Sequence, residues 1–334
     1  MTERTAAKEP PVRPRARFDV ADGAMLAVVL IWAGNNVVVK AVLDELAPLA
    51  YVVGRFVIVV VLVFGWLWAR GVDVRVRRGD VPLLLLAGGT GYAAYNALFT
   101  IGLDRTSAFS VALLVALGPI FTLVFAALLG IEAVRPRQWL GVVVAVLGVA
   151  VFVGDKLREG TPAAGDGLNL LAAAAFAVYG LATRPLVGRY GAPVATAWSA
   201  LVGLVAVLPF ALPAAMEQDW RGLSAGAWGS LFYAAVLSML VAYTLWVWAI
   251  ARRGIGRTVA YLFLAPVVTG LLAALFLGEG FGPLKVGGAL LVLVGLGLVR
   301  GSGLRGWGPR VGKRGWRPRE ERSVGAIASR PPDP

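Results

Sequence analysis

Cysteine and histidine are both absent from this 334-residue chain. Their absence removes thiol nucleophiles, imidazole acid–base chemistry and the usual zinc, copper and haem ligands. Neither a metal nor a cofactor is therefore expected. No disulfide framework can form, so nothing marks an oxidising compartment. Charge is scarce as well: 15% of residues are charged against 58% hydrophobic, and the mean hydropathy is +0.76. A soluble domain of this size needs a far more charged surface, so the solvent for most of the chain is lipid. Acids are missing from the middle of every apolar run, Asp104 and Asp166 both falling at run ends. A proton-coupled mechanism built on a central carboxylate is thus not supported. Ile and Lys are rare beside Ala, Val, Leu, Gly and Arg, a compositional hint of a GC-rich bacterial genome.

What is present is a repeat. Pro119 is followed thirteen residues later by Glu132, and Pro266 is followed thirteen later by Glu279, the two pairs lying 147 residues apart. A Gly-rich apolar stretch trails each pair. About 20 apolar residues cross the ~30 Å hydrocarbon layer. Runs of that kind lie near 23–43, 47–69, 81–103, 108–130 and 138–154, then near 167–186, 193–213, 226–249, 256–278 and 283–300. The fold class expected is an all-α membrane protein of ten transmembrane helices in two five-helix repeats. Five is odd, so the two copies must point in opposite directions, the arrangement used for alternating access. The expected organisation is a basic tail at 1–21, a first repeat at 22–154, an outer linker at 155–166, a second repeat at 167–300 and a disordered basic tail at 301–334. The first tail runs into an apolar stretch with no small-x-small cleavage site and reads as retained.

The net charge of +13 is distributed unevenly. Of the 32 Lys and Arg, 25 fall on the tails and on the loops that follow even-numbered spans, and four fall on the opposite face. By the positive-inside rule both termini are cytoplasmic. The excess meets anionic lipid on one face, which accounts for it without a nucleic-acid partner.

Polar groups inside a bilayer helix are costly and are the first functional candidates. The first helix places Trp32, Asn36 and Lys40 on one face. Such a stripe would line a cavity, although Asn36 could instead join helices and Lys40 could snorkel to the interface. Arg55 lies eight residues into the second span, roughly 12 Å deep, where it needs a partner or an anionic substrate group. The third span carries Tyr92, Tyr95 and Asn96, and the eighth Tyr243, Trp246 and Trp248. Tyr95 and Tyr243 occupy nearly equivalent places, and Tyr179 in the sixth corresponds to Trp32, a recurrence that suits a central site, although ordinary helix packing would account for any single one. Pro119 and Pro266 should kink their helices and form a hinge pair, or bend them statically for packing. Glu132 and Glu279 precede the next helix and would brace its positive end. Gly141 with Ala145, and Gly287, Gly288, Gly295 and Gly297, would let helices five and ten approach closely, within one chain or in a homodimer.

The WAGNNVVVK of the first helix, the RF at Arg55, and the Pro119–Glu132 block repeated at Pro266–Glu279 resemble the EamA-type members of the drug/metabolite transporter superfamily over residues 22–300. The resemblance implies a five-plus-five bundle in a bacterial inner (plasma) membrane. It further implies a central cavity and often a secondary exporter of amino acids or other small metabolites. The sixth helix, AVYGLATRPL, lacks the Asn pair and carries Arg184 where the repeat would place a late Lys, so the halves are unequal in the cavity. Lys40 and Arg55 are the only buried cations expected, which tilts against phosphorylated substrates. The partners expected are a small-molecule substrate and the bilayer. A membrane-embedded enzyme acting on a lipid carrier would show clustered acids, His or Cys near an interface, and no such cluster is present. A non-transporting scaffold would be an occluded bundle with no water-accessible centre.

Overall fold

A computed structural model describes residues 19–130, 134–158, 163–253 and 261–300. Nearly all of both tails, and Glu132, lie outside these residues. Helix α1 (Val20–Lys40) starts on a reciprocal cap. The Asp19 carboxylate accepts from the amides of Ala21 and Asp22, and Asp22 Oδ2 accepts from Asp19 N at 2.9 Å. Pro48 opens α2 (Pro48–Ala69), where its missing N–H costs no helical bond. Then α3 is an α-helix over Val81–Ala87, a π-helical segment over Gly88–Ala94 and an α-helix again over Tyr95–Asp104. Next come α4 (Ala108–Leu128), α5 (Pro136–Arg158), α6 (Ala164–Tyr190) and α7 (Ala192–Glu217). The eighth, α8, repeats the irregularity of α3: Ala225–Phe232, a π segment at Tyr233–Val241, then Ala242–Arg253. Helices α9 (Leu264–Leu277) and α10 (Pro283–Arg300) close the described chain.

Among the described residues, seven helices are long and apolar enough to cross a membrane: α1, α2, α4, α5, α6, α7 and α8. Helices α9 and α10 are apolar but shorter, and α3 is not among the seven. The protein is therefore a multi-pass membrane protein. The linker expected over 155–166 is narrower than that, because α5 continues to Arg158 and α6 begins at Ala164. This extension carries Lys156 and Asp166 into helical turns, with consequences described below.

Helix pairing follows the small residues. Helix α5 lies along α10, and α2 along α7. Helix α1 packs on α8 and α9, while α6 packs on α3 and α4. At the α5–α10 contact, a Cβ at Gly148 would sit 2.8 Å from the Gly288 carbonyl oxygen, and one at Gly288 would sit 2.9 Å from that of Gly148. Gly141, Ala145 and Gly295 share this contact, whereas Gly287 and Gly297 have open space beside them and take no part in it. Where α3 crosses α6, a Cβ at Gly91 would fall 2.2 Å from the Tyr179 ring, so only glycine fits. Without a hydrophobic driving force between helices in lipid, such close backbone approach is what holds them.

Candidate functional site

Arg55 is 3% exposed, two turns into α2. Its guanidinium donates to Asn96 Oδ1 on α3. The amide nitrogen of Asn96 in turn donates to the carbonyls of Gly91, at 3.2 Å, and Tyr92, at 2.9 Å, both in the π segment. One amide thus fixes the widened turn and the arginine together. The guanidinium carbon lies 5.6 Å from the ring centroids of both Tyr51 and Phe56, in cation–π range. Tyr51 is itself anchored, its hydroxyl 3.1 Å from the Ser230 carbonyl oxygen on α8. Among the described residues no carboxylate pairs with Arg55, and its Nε lacks a hydrogen-bond partner. Aromatic faces and one neutral amide compensate a desolvated cation only in part. The arrangement is suited to receiving an anionic group.

The predicted aromatics form one connected chain beside this cation. Tyr95 packs on Phe99 at 5.8 Å and on Phe176 at 4.9 Å between centroids, and Phe176 meets Tyr179 at 5.5 Å. Tyr179 stands edge-on to Tyr92 at 5.7 Å, which in turn reaches Phe56, also at 5.7 Å. The phenol groups of Tyr92, Tyr179 and Tyr243 engage one another, with Tyr179 between the other two. Tyr243 then stacks on Trp246 at 5.5 Å, and Trp246 on Trp32 at 6.0 Å. Trp32, Tyr95, Tyr179 and Tyr243 are therefore drawn together with Arg55 and Asn96. Tyr92 and Trp246, named with their neighbours in the sequence, and Tyr51 and Phe176, not singled out there, are the links between them.

Asn36 lies apart from this chain. Its amide nitrogen donates to Thr269 Oγ1 on α9 at 3.2 Å, tying α1 to that helix. Both prolines follow an irregular turn. Helix α4 breaks at Ala116–Leu117 and resumes at Gly118, with Pro119 in its new first turn, while Phe263 is a turn just ahead of α9, which carries Pro266 in its own. Pro119 therefore sits beside a break within its span, and Pro266 near the described start of its helix.

Lys40 is remote from Arg55 in a different way. Its Nζ donates to the carbonyls of Leu103, at 2.9 Å, and Asp104, at 2.7 Å, at the end of α3. There it lines a cavity of about 320 Å³ with Asp104, Arg105, Thr106, Ser107, Lys156 and Lys285. Lys156 corrects the sequence reading, which recognised only Lys40 and Arg55 as buried cations. It is 3% exposed and pairs with Asp166 at 2.7 Å, with Thr106 Oγ1 at 2.5 Å and Ser110 Oγ at 3.2 Å as further partners. Glu279 also departs from expectation. Its carboxylate accepts from the amides of Ala108, at 2.6 Å, and Phe109, at 3.2 Å. It therefore braces the N-terminus of α4, in the opposite half, and not the helix that follows it.

The sequence profile of the EamA-like transporter family matches residues 20–154 and again 163–301. A relative from Streptantibioticus cattleyicolor, described as a probable terminal-alkyne amino-acid exporter, is 30% identical over 83% of this chain and 92% of its own length. Probable amino-acid metabolite efflux pumps of Escherichia coli and Salmonella typhimurium are 28% and 27% identical. Those matches cover 82% and 81% of this chain and 93% and 91% of the relatives. A protein of known crystal structure, 19% identical, superposes with a TM-score of 0.58 over 83% of this chain and 95% of that one, a likeness of fold.

Proposed function

The chain belongs to the EamA-like transporter family, and we propose that it exports an amino acid or a related small carboxylate by alternating access across a bacterial inner membrane. It is a membrane transporter of a small molecule, not an enzyme. The observation that carries the substrate class is Arg55, a buried cation without a carboxylate partner among the described residues, walled by Tyr51, Phe56 and Asn96. In this reading a substrate carboxylate completes the charge of Arg55. The Tyr95–Tyr179–Tyr243–Trp32 chain packs the apolar part of the solute. The names of the relatives support the same class.

The reading takes 22–154 and 167–300 as inverted five-helix repeats with both termini cytoplasmic. Two features support it. Exchanging the halves maps the α1 contacts with α8 and α9 onto the α6 contacts with α3 and α4, and leaves the α2–α7 and α5–α10 pairs unchanged. The π segments of α3 and α8 also begin 145 residues apart, close to the 147-residue spacing of the proline–glutamate pairs. Alternation would rock the halves about the broken turns beside Pro119 and Pro266.

The test is counterflow in proteoliposomes across a panel of radiolabelled amino acids. At least one should exchange, and Arg55→Ala should cut that exchange about tenfold or more, the equivalent of ~1.4 kcal/mol. Exchange no faster than in protein-free liposomes across the panel would sink the amino-acid reading. Undiminished exchange by the Arg55 variant would remove Arg55 from it.

A further inference from the structure

The cavity beyond Lys40 is a second concentration of positive charge. Four cations line it, Lys40, Arg105, Lys156 and Lys285, with one acid, Asp104. Two of the four are compensated. Lys156 is neutralised by Asp166, and it also meets the hydroxyls of Thr106 and Ser110 and lies 6.0 Å from the Phe152 ring centroid. Lys40 caps the carbonyls at the negative end of α3. The other two are not. Among the described residues neither Arg105 nor Lys285 forms an ion pair. The nearest acceptor of Lys285 is the Gly280 carbonyl, at 3.4 Å. Arg105 is exposed and Lys285 half-buried, so both are open to a solute, and although water screens part of their repulsion, their shared positive field favours an anion between them. At about 320 Å³ the cavity has room for a small solute.

We propose that this cavity is a second solute site, which takes the carboxylate group of a small organic anion between Arg105 and Lys285, with Lys40 as a fixed positive wall. Asp104 disfavours multiply charged anions and leaves room for a solute that also carries an amino group. The role of the site rests on the carrier reading. In the orientation proposed above it opens at the outer end, where a solute released from Arg55 would pass. Its existence does not depend on transport.

The probe is sodium propionate, read by thermal unfolding of the full-length protein in phosphatidylcholine nanodiscs against sodium chloride of equal ionic strength. Propionate should raise Tm saturably beyond chloride. Because Arg55 is itself read as a carboxylate site, the test is made in the Arg55→Ala protein: propionate should still raise its Tm, and adding Arg105→Gln with Lys285→Gln should abolish that remaining rise. If the double variant does not fold, each single variant should raise the half-saturating concentration at least about threefold, ~0.65 kcal/mol. A rise no greater than with chloride overturns the proposal. So does a rise unchanged in the Arg105/Lys285 variants, or one lost in Arg55→Ala. Stabilisation by phosphatidylglycerol nanodiscs without any response to propionate would assign the site to a lipid headgroup, and that also overturns it. Absent counterflow with a saturable propionate response would retain this site and reject the amino-acid reading; counterflow without a propionate response would retain that reading and reject this site.

Discussion

Arg55 and Lys156 are equally buried, each 3% exposed, yet the protein holds them in opposite ways. Lys156 has a carboxylate, Asp166, and two hydroxyls, so its charge is cancelled inside the fold. Arg55 has two aromatic faces and one neutral amide, and its Nε has no hydrogen-bond partner. A fully paired charge needs nothing from outside, and in this position it clamps the α3–α4 turn, α5 and α6 to one another. A half-paired charge keeps a standing preference for an anion. Degree of compensation, not burial, separates a structural cation from a candidate substrate cation.

The sharpest way to break this comparison is to remove the paired cation. Lys156→Ala leaves Asp166 buried without a counter-charge, with the Thr106 hydroxyl donating to its Oδ1 at 2.7 Å, and should destabilise the protein by about 3–5 kcal/mol, read as a fall in Tm in detergent. Lys156→Met combined with Asp166→Leu should recover most of that. A Lys156→Ala protein as stable as the parent would erase the distinction. The converse variant, Arg55→Ala, should cost less stability, about 1–3 kcal/mol for the orphaned Asn96 carbonyl, while abolishing most counterflow. A loss of flux matched by equal unfolding would make Arg55 structural too. Tyr51→Phe sharpens the contrast further. It removes the hydroxyl bond to Ser230, worth about 1 kcal/mol, but keeps the ring over Arg55, so flux should persist in a slightly less stable protein.

The smallest expected effect lies outside the bilayer. Glu45, in the α1–α2 turn, accepts from Ser224 N and Ser224 Oγ at the start of α8, and these bonds hold its carboxyl below the ordinary value of 4.5. A depressed folded value means that the Glu45 contribution is complete above pH 4.5 and fades as the pH falls below that toward the folded value. The Tm difference between the parent and Glu45→Gln should therefore shrink on acidification through that window. A constant difference from pH 7 to pH 3.5 would show that the carboxylate contributes nothing specific to its charged form.

Sequence made the seven long apolar helices legible because hydropathy is a local, one-dimensional quantity. It also marked Arg55 and Asn96, since a charge and an amide deep in apolar runs stand out against lipid whatever their neighbours are. Lys156 escaped because hydropathy falls near residue 154 and a lysine there reads as loop. Only the extension of α5 to Arg158 and the early start of α6 bring it to Asp166. Phe176 escaped because nothing sets it apart from the apolar residues around it in sequence, and only the packing of α3 on α6 puts it between Tyr95 and Tyr179. Glu279 was expected to brace the helix that follows it, but its carboxylate accepts from the start of α4, 171 residues away in the chain, beyond what position in the chain can specify.

The sequence by itself determined a multi-pass helical membrane protein with a repeated proline–glutamate signature, because each depends on composition and spacing along the chain. Tertiary structure alone decided which buried cation is cancelled and which is left seeking an anion. That outcome depends on the company a charge keeps in space, and in a low-dielectric interior a partner a few ångströms away outweighs everything local to the charge in sequence.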